Sequence, residues 1–252
     1  MFRTLLPAAA AAFLAGAAQA QTQAQTPTTP PTAPPTAPAA TPAAVPPPAP
    51  AARPNPKVKV ETTEGAFVVE LAADKAPISV ANYLKYVDRG LFNGAACYRA
   101  SKPKGYAGDD YGLVQCGLQN DPRKVLPPIA HESTIKTGLT HGKDGVISMG
   151  RHAPGTAQAD WSIMLGDMSY LDADRKNPAA NPGFAAFGQV TEGLEVIRRI
   201  IVMPTDPNRG EGAMKGEMLV KPVRIVRVSR YAAPPPAATT SAPAPQAAPA
   251  PR

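Results

Sequence analysis

Few of the side chains that could do chemistry in this 252-residue chain are spaced to do it together. His131, His141 and His152 show no metal-ligand spacing and no matching arrangement with Cys97 and Cys116, so no zinc-type site is expected. No Gly-x-Ser-x-Gly elbow presents a serine, so a Ser-His-Asp hydrolase has no signal. Asp172 and Asp174 fall at the first and third places of a calcium-loop template. Lys176, Asn177 and Gly183 then stand where that template needs an oxygen ligand, a glycine and a bidentate glutamate. The stretch reads instead as an irregular Pro-rich loop, and neither metal nor cofactor is expected. Arg99, in Cys97-Tyr98-Arg99, lies in a short strand-like segment and by itself reads as a salt-bridging surface arginine. A fixed guanidinium can stabilise a localised lone pair through a charge-assisted hydrogen bond.

The elements that would position Arg99 are mostly short strands. Lys57 to Thr62 and Ala66 to Leu71 flank Glu64-Gly65 as a β-hairpin. Short strands are also expected over Ala95 to Ala100, Leu113 to Gly117, Val146 to Arg151, Asp160 to Leu165 and Phe184 to Val190. Val223 to Arg230 alternates with period two and closes the domain. Two helices interrupt them. Ala76 to Gly90 has Pro77 suited to a first turn and Gly90 to a C′ position, with Val80, Leu84, Val87 and Leu91 on one face. Thr191 to Ile201 turns Leu194, Ile197 and Ile201 inward. Many strands with two helices favour a mainly β fold, a closed barrel capped at its ends.

One stretch carries more than pattern. Gly145 to Ile163 reads GVISMGRHAPGTAQADWSI, and with Ala96 to Arg99, Gly112 to Gln115 and FAAFGQVTEGLEVI (Phe184 to Ile197) it resembles a cyclophilin-type peptidyl-prolyl cis-trans isomerase. The likeness spans roughly Lys57 to Tyr231 and is specific in the GVISM and PGTA segments. It implies a closed eight-stranded antiparallel barrel capped by two helices. It also implies Arg99 as the catalytic residue and Leu113, Met149, Leu171 and Phe184 as a pocket for a proline ring. Gln115, Asp160 and the Gly150 backbone would position the peptide.

The chemistry so implied breaks no bond. An Xaa-Pro amide faces a rotational barrier of roughly 18–20 kcal/mol, and a guanidinium aimed at the proline nitrogen would stabilise the twisted state. A rate near ~10² s⁻¹ needs a barrier of about 15 kcal/mol. One charge-assisted hydrogen bond supplies roughly 1.5–3 kcal/mol. The remainder must come from a pocket that grips the ring while the preceding carbonyl turns.

Several positions depart from the family pattern. Asp160 stands where a glutamine is usual, Ser162 where a second phenylalanine lines the pocket, and Phe184 where a histidine is usual. Gly112, Arg151 and Tyr170 replace an aromatic residue, an asparagine and a tryptophan. Asp160 could capture the Arg99 guanidinium or merely hold it in place. Phe184 could restore apolar surface lost at Ser162. These changes bear on rate and substrate preference, and leave open a proline-peptide binding module or chaperone scaffold that catalyses weakly. Cys97 and Cys116 lie on strands that should pair. If Arg99 and Gln115 share a face, alternation puts Cys97 on it and Cys116 on the other, which argues against a bridge. A β-bulge between them would remove that objection.

Composition sets the rest. Arg3, the apolar run Leu5 to Ala17 and Ala18-Gln19-Ala20 form a secretory signal peptide over residues 1–20. That run is too short for a membrane span, which needs roughly 20 residues. Residues 21–56 and 232–252 are rich in Pro and Ala, and should be disordered tails serving as spacers or as proline ligands. Residues 57–231 are then one domain with a single core. The formal charge is +7 and dispersed, without a basic-aromatic stripe, so nucleic-acid binding is not expected. The sequence therefore points to a periplasmic, monomeric isomerase acting on proline-containing unfolded or newly exported polypeptides.

Overall fold

The computed structural model describes residues 54–232. The segments read as signal peptide and as tails lie outside the described residues, apart from Pro54 to Pro56 and Ala232. Among the described residues nine strands form one sheet: β1 (Lys57–Thr62), β2 (Gly65–Leu71), β3 (Ala96–Ser101), β4 (Gly112–Gly117), β5 (Val146–Met149), β6 (Trp161–Leu165), β7 (Ala186–Glu192), β8 (Thr205–Asp206) and β9 (Met218–Tyr231). Their order is β1-β2-β7-β5-β6-β4-β3-β9, with the two-residue β8 beside β9. All pairings are antiparallel, and β1 pairs with β9 from Lys57↔Tyr231 onward. That last pairing closes an eight-stranded barrel and removes its edges. The expected architecture is therefore the observed one.

Among the described residues there are three α-helices: α1 (Pro77–Asp88), the one-turn α2 (Thr134–Thr137), which the sequence pattern does not suggest, and α3 (Leu194–Ile201). α3 lies where a Cβ on Gly112, at the start of β4, would meet Ile201. The α1 residue Asn82 donates to the Gln158 carbonyl, just before β6. Since Trp161 of β6 faces Cys116 near the end of β4, the two helices cap opposite ends of the barrel.

The helix faces differ in part from the periodic reading. In α1 the buried residues are Ser79, Val80, Asn82, Tyr83, Tyr86 and Val87. Leu84 and Leu91 are only partly buried. The two tyrosines outweigh the aliphatic stripe because each ring buries more surface than a leucine and joins an aromatic cluster. Tyr83 packs on Phe92, Trp161 and Phe187 with ring centroids 5.1, 5.9 and 5.4 Å away. α1 has no side-chain cap of its own. Glu132, from the long loop after β4, supplies one by accepting from the Ile78 and Ser79 amides at 3.0 and 2.7 Å. In α3 Val196, Ile197, Ile200 and Ile201 are buried, each contributing roughly 1.5–3 kcal/mol relative to exposure. Leu194 stays partly exposed at the first turn.

Candidate active site

The barrel presents its functional face outside the core. Along β4, Val114 and Cys116 point inward and are fully buried. Leu113 and Gln115 alternate with them and line a surface groove of about 800 Å³. One row of side chains runs across four strands under that groove: Arg99 pairs with Gln115, Gln115 with Ser162, and Ser162 with Ser148. All eight residues expected at the site, Arg99, Leu113, Gln115, Met149, Gly150, Asp160, Leu171 and Phe184, border the same groove. Met149 is its floor, nearly closed to solvent and continuous with the core.

Arg99 reaches the groove because β3 is irregular. Cys97 pairs with Cys116 but Arg99 pairs with Gln115, so two residues on β3 oppose a single step on β4. This bulge defeats the alternation argument against a bridge. Cys97 and Cys116 both face the core, fully buried, and are joined by a disulfide.

The partner of Arg99 is not Asp160. Its Nε donates to Glu217 Oε2 at 2.7 Å, and its Nη1 donates to Gln115 Oε1 at 2.8 Å. Nη2 lies 2.7 Å from the same Glu217 oxygen. A guanidinium has five N–H donors, so at least two stay uncommitted. Sequence reasoning missed Glu217 because it lies 118 positions from Arg99, with no motif linking them.

Asp160 neither captures the guanidinium nor braces it. Its Oδ1 accepts from the Tyr98 hydroxyl at 3.1 Å and from the Gln119 amide at 2.9 Å. Gln119 and Asn120 are two successive non-glycine residues with positive φ, 50° and 57°. Such left-handed backbone carries strain, and the carboxylate holds the turn that contains it. Burial pushes the Asp160 carboxyl above the usual carboxylate range, against the hydrogen bonds from Gln119 and Tyr98. Burial likewise raises the Tyr98 phenol, with the Asp160 charge acting in the same direction.

Gly150 fits the groove for lack of a side chain: a Cβ there would come within 3.1–3.2 Å of Asp160 and Gln115 atoms. Its amide donates to the Asp160 carbonyl at 2.7 Å, leaving the Gly150 carbonyl as its remaining backbone group for a peptide. Phe184 precedes β7 rather than opening it. The Arg151 guanidinium, which also borders the groove, lies over its ring, 4.6 Å from the centroid, so one ring face is covered. Met214, Met218 and Tyr170 border the groove as well. Tyr170 is 63 % exposed there.

Three residues read as unconnected are brought into line. Asp172 Oδ1 accepts from His141 Nδ1 at 2.5 Å, and His141 Nε2 lies 2.8 Å from Ser148 Oγ. Since a carboxylate only accepts, Nδ1 carries the proton and a neutral ring accepts from the serine at Nε2. His141 is held below its ordinary pKa chiefly by burial, with Asp172 opposing. Asp172 also accepts from Thr140 Oγ1 at 2.6 Å, so its carboxylate serves this network. Ser148 is 1 % exposed, under the groove floor rather than open to attack a substrate. The relay is a packing device that ties β5 to the Asp172 loop.

Comparison with known proteins agrees with this geometry. Residues 57–230 match the family model described as cyclophilin type peptidyl-prolyl cis-trans isomerase/CLD. A Neurospora crassa protein named peptidyl-prolyl cis-trans isomerase-like 1 is 31% identical over 171 residues, covering 68% of this chain and 94% of its own length. A peptidyl-prolyl cis-trans isomerase of Acinetobacter baylyi is 27% identical over 175 residues, covering 69% and 85%. The crystal structure of a Cryptosporidium parvum cyclophilin-type isomerase superposes with a TM-score of 0.56 at 16% identity, covering 71% of this chain and 99% of that one.

Proposed function

The chain belongs to the cyclophilin-type peptidyl-prolyl cis-trans isomerase family, and on that premise we propose that it speeds Xaa-Pro rotation in unfolded or newly exported polypeptides, with Arg99 as the catalytic residue. The observation that carries this reading is the guanidinium itself. It is clasped by Glu217 and Gln115 yet keeps N–H donors free at the edge of a groove containing Leu113, Met149, Leu171 and Phe184. A proline ring held among those apolar side chains would set its nitrogen near Arg99. As the amide twists, the nitrogen lone pair localises and accepts from an Nη. That interaction is stronger in the twisted state than in either planar state, which is the condition for lowering the barrier. Gln115 and the Gly150 carbonyl would hold the flanking peptide. The protein is proposed to act as a monomer; its placement in the periplasm, after removal of residues 1–20, rests on the signal-peptide pattern alone.

The test is exchange spectroscopy on an Ala-Pro test peptide with wild type, Arg99→Ala and Arg99→Lys. Wild type should accelerate exchange, and both variants should lose most of it, since lysine keeps the charge but not the fork that Glu217 and Gln115 hold. An Arg99→Ala protein that remains folded and isomerises at the wild-type rate would overturn the assignment. Cell fractionation with N-terminal sequencing of the mature protein tests export; a cytoplasmic, uncleaved chain would refute it.

A second reading is favoured by one specific observation. Ser162 lines the groove where an aromatic wall would otherwise stand, so the pocket could hold proline peptides without gripping them tightly enough to turn them. Peptide affinity without acceleration in wild type would support this binding-module reading.

A further inference from the structure

We propose that Arg151 forms a subsite for an acidic side chain, so that the isomerase favours Xaa-Pro bonds with an aspartate or glutamate within two residues of the proline. The inference rests on the reading of the groove as the isomerase site.

Arg99, Arg123, Arg198 and Arg230 each pair with a carboxylate. Arg151, partly buried at the groove, meets neutral acceptors instead. Its Nη1 donates to the His152 carbonyl at 3.0 Å and its Nη2 to the Gly183 carbonyl. Nε is buried and has no hydrogen-bond partner among the described residues. A guanidinium has five N–H donors, so one on each Nη remains for a ligand. Burial holds the group below its ordinary pKa, with no neighbouring anion to oppose the effect. A charge drawn partly out of water gains more from an arriving carboxylate than a fully hydrated one does.

The acids that border the groove are engaged elsewhere or far away. Asp160 accepts from Tyr98 and Gln119, and Glu217 from Arg99 and Ser101. Glu211 leads into β9 on the other bank. Arg151 follows β5, and β6, β4 and β3 separate β5 from β9 in the sheet. At about 4.8 Å per strand, the two banks lie on the order of 19 Å apart along the sheet.

Arg151 is also placed where a substrate side chain can meet it. Its guanidinium is held over the Phe184 ring, 4.6 Å from the centroid, and Phe184 belongs to the proposed proline pocket. Its chain neighbour Gly150 carries the carbonyl that would hold the flanking peptide. Successive Cα atoms of a peptide are about 3.8 Å apart, so a side chain one or two residues from the proline comes within reach. The ring and the two carbonyls fix the fork beforehand, so little ordering entropy is lost on binding.

The test uses end-blocked peptides Ala-Xaa-Ala-Pro-Ala, Ala-Ala-Xaa-Pro-Ala and Ala-Ala-Pro-Xaa-Ala, where Xaa is Glu, Gln or Lys. Wild type, Arg151→Gln and Arg151→Lys are compared, with affinity from NMR titration and rate from exchange spectroscopy. In at least one position wild type should bind the Glu peptide about three- to fivefold more tightly than its Gln counterpart, and the Lys peptide more weakly than either. The gain should appear in affinity and not in the saturating rate, because the contact is equal in planar and twisted states. High salt should shrink the preference. Arg151→Gln should abolish it, and Arg151→Lys should retain part of it. If Arg151 only braces the Gly183–Phe184 segment, its loss changes all peptides alike and leaves the Glu-to-Gln ratio untouched. That result, or no preference in wild type at any position, overturns the proposal. Should Arg151→Gln fail to fold, the Arg151 guanidinium resonances of wild type decide. They must shift further with the Glu peptide than with the Gln peptide, and equal shifts refute the contact. A wild type that prefers Glu peptides but accelerates none fails the isomerase reading and leaves the subsite standing. Acceleration without charge preference refutes the subsite alone.

Discussion

Glu217 holds Arg99 through a single oxygen, Oε2, which lies 2.7 Å from both Nε and Nη2. Its other oxygen accepts from Ser101 Oγ at 2.8 Å, so the carboxylate is itself fixed at both ends. The pair sits at the groove wall, with side chains 17% and 24% exposed, dry enough for the hydrogen bonds to orient the guanidinium. Glu217→Gln keeps an acceptor but loses the charge. The expected outcome is a fall in the saturating isomerisation rate of about fivefold, on the order of 1 kcal/mol, with peptide affinity unchanged. Exchange rates across a peptide titration would show it; an unchanged rate would mean Gln115 alone suffices to hold Arg99.

The charge on Asp160 costs stability, because burial raises its pKa in the folded protein above the unfolded value. The native state therefore binds a proton more readily than the unfolded chain between those two values, and stability rises as pH falls through that window. Asp160→Asn keeps an oxygen for Tyr98 and Gln119 without the charge. It should stabilise the protein at pH ~7 by about 1 kcal/mol, and the advantage should shrink as pH drops into the carboxylate range. Thermal melts of both proteins across that range test this; an advantage independent of pH would exclude the charge as its cause.

His141 works in the opposite sense. Burial lowers its pKa, so the unfolded chain binds the proton first as pH falls below the ordinary histidine value of about 6.5. Stability is full above that value and is lost as pH falls toward the lower native value. His141→Gln, which can still hydrogen bond Ser148, should be less stable than wild type at pH ~8 yet lose less on acidification through this window. Parallel stability curves for the two proteins would rule out His141 as the titrating group.

Much of this molecule is legible in its sequence, and the gaps have physical causes. The barrel strands and both capping helices follow from apolar periodicity and from Pro77 and Gly90, because those signals are local. The eight residues expected at the site come from the family resemblance, and all of them border one groove. What periodicity cannot supply is the bulge at Tyr98–Arg99, since a one-residue irregularity leaves no trace in composition. That irregularity is what turns Cys97 toward Cys116 and lets the two form a disulfide. Nor can periodicity supply partners far apart in the chain: Glu217 for Arg99, Glu132 for the first turn of α1, or Asp172 and Ser148 for His141. In α1 the aliphatic stripe is visible, but the large buried rings of Tyr83 and Tyr86 shift the buried face.

Tyr83 offers the simplest energetic test of the core. It is 1 % exposed, packed among Phe92, Trp161 and Phe187, and its hydroxyl has no hydrogen-bond partner among the described residues. Burial alone drives its pKa well above the ordinary phenol value. A hydroxyl desolvated without a partner costs about 1–3 kcal/mol, whereas the ring contributes through its area and its edge-to-face contacts. Tyr83→Phe retains the ring and discards the penalty. The variant should be more stable by about 1 kcal/mol, raising the unfolding midpoint by about 2–4 °C for a domain of this size. Isomerisation should be unchanged, since Tyr83 does not border the groove. A loss of stability on this substitution would show that the hydroxyl is satisfied in solution, for instance by a buried water, and that the cluster depends on it.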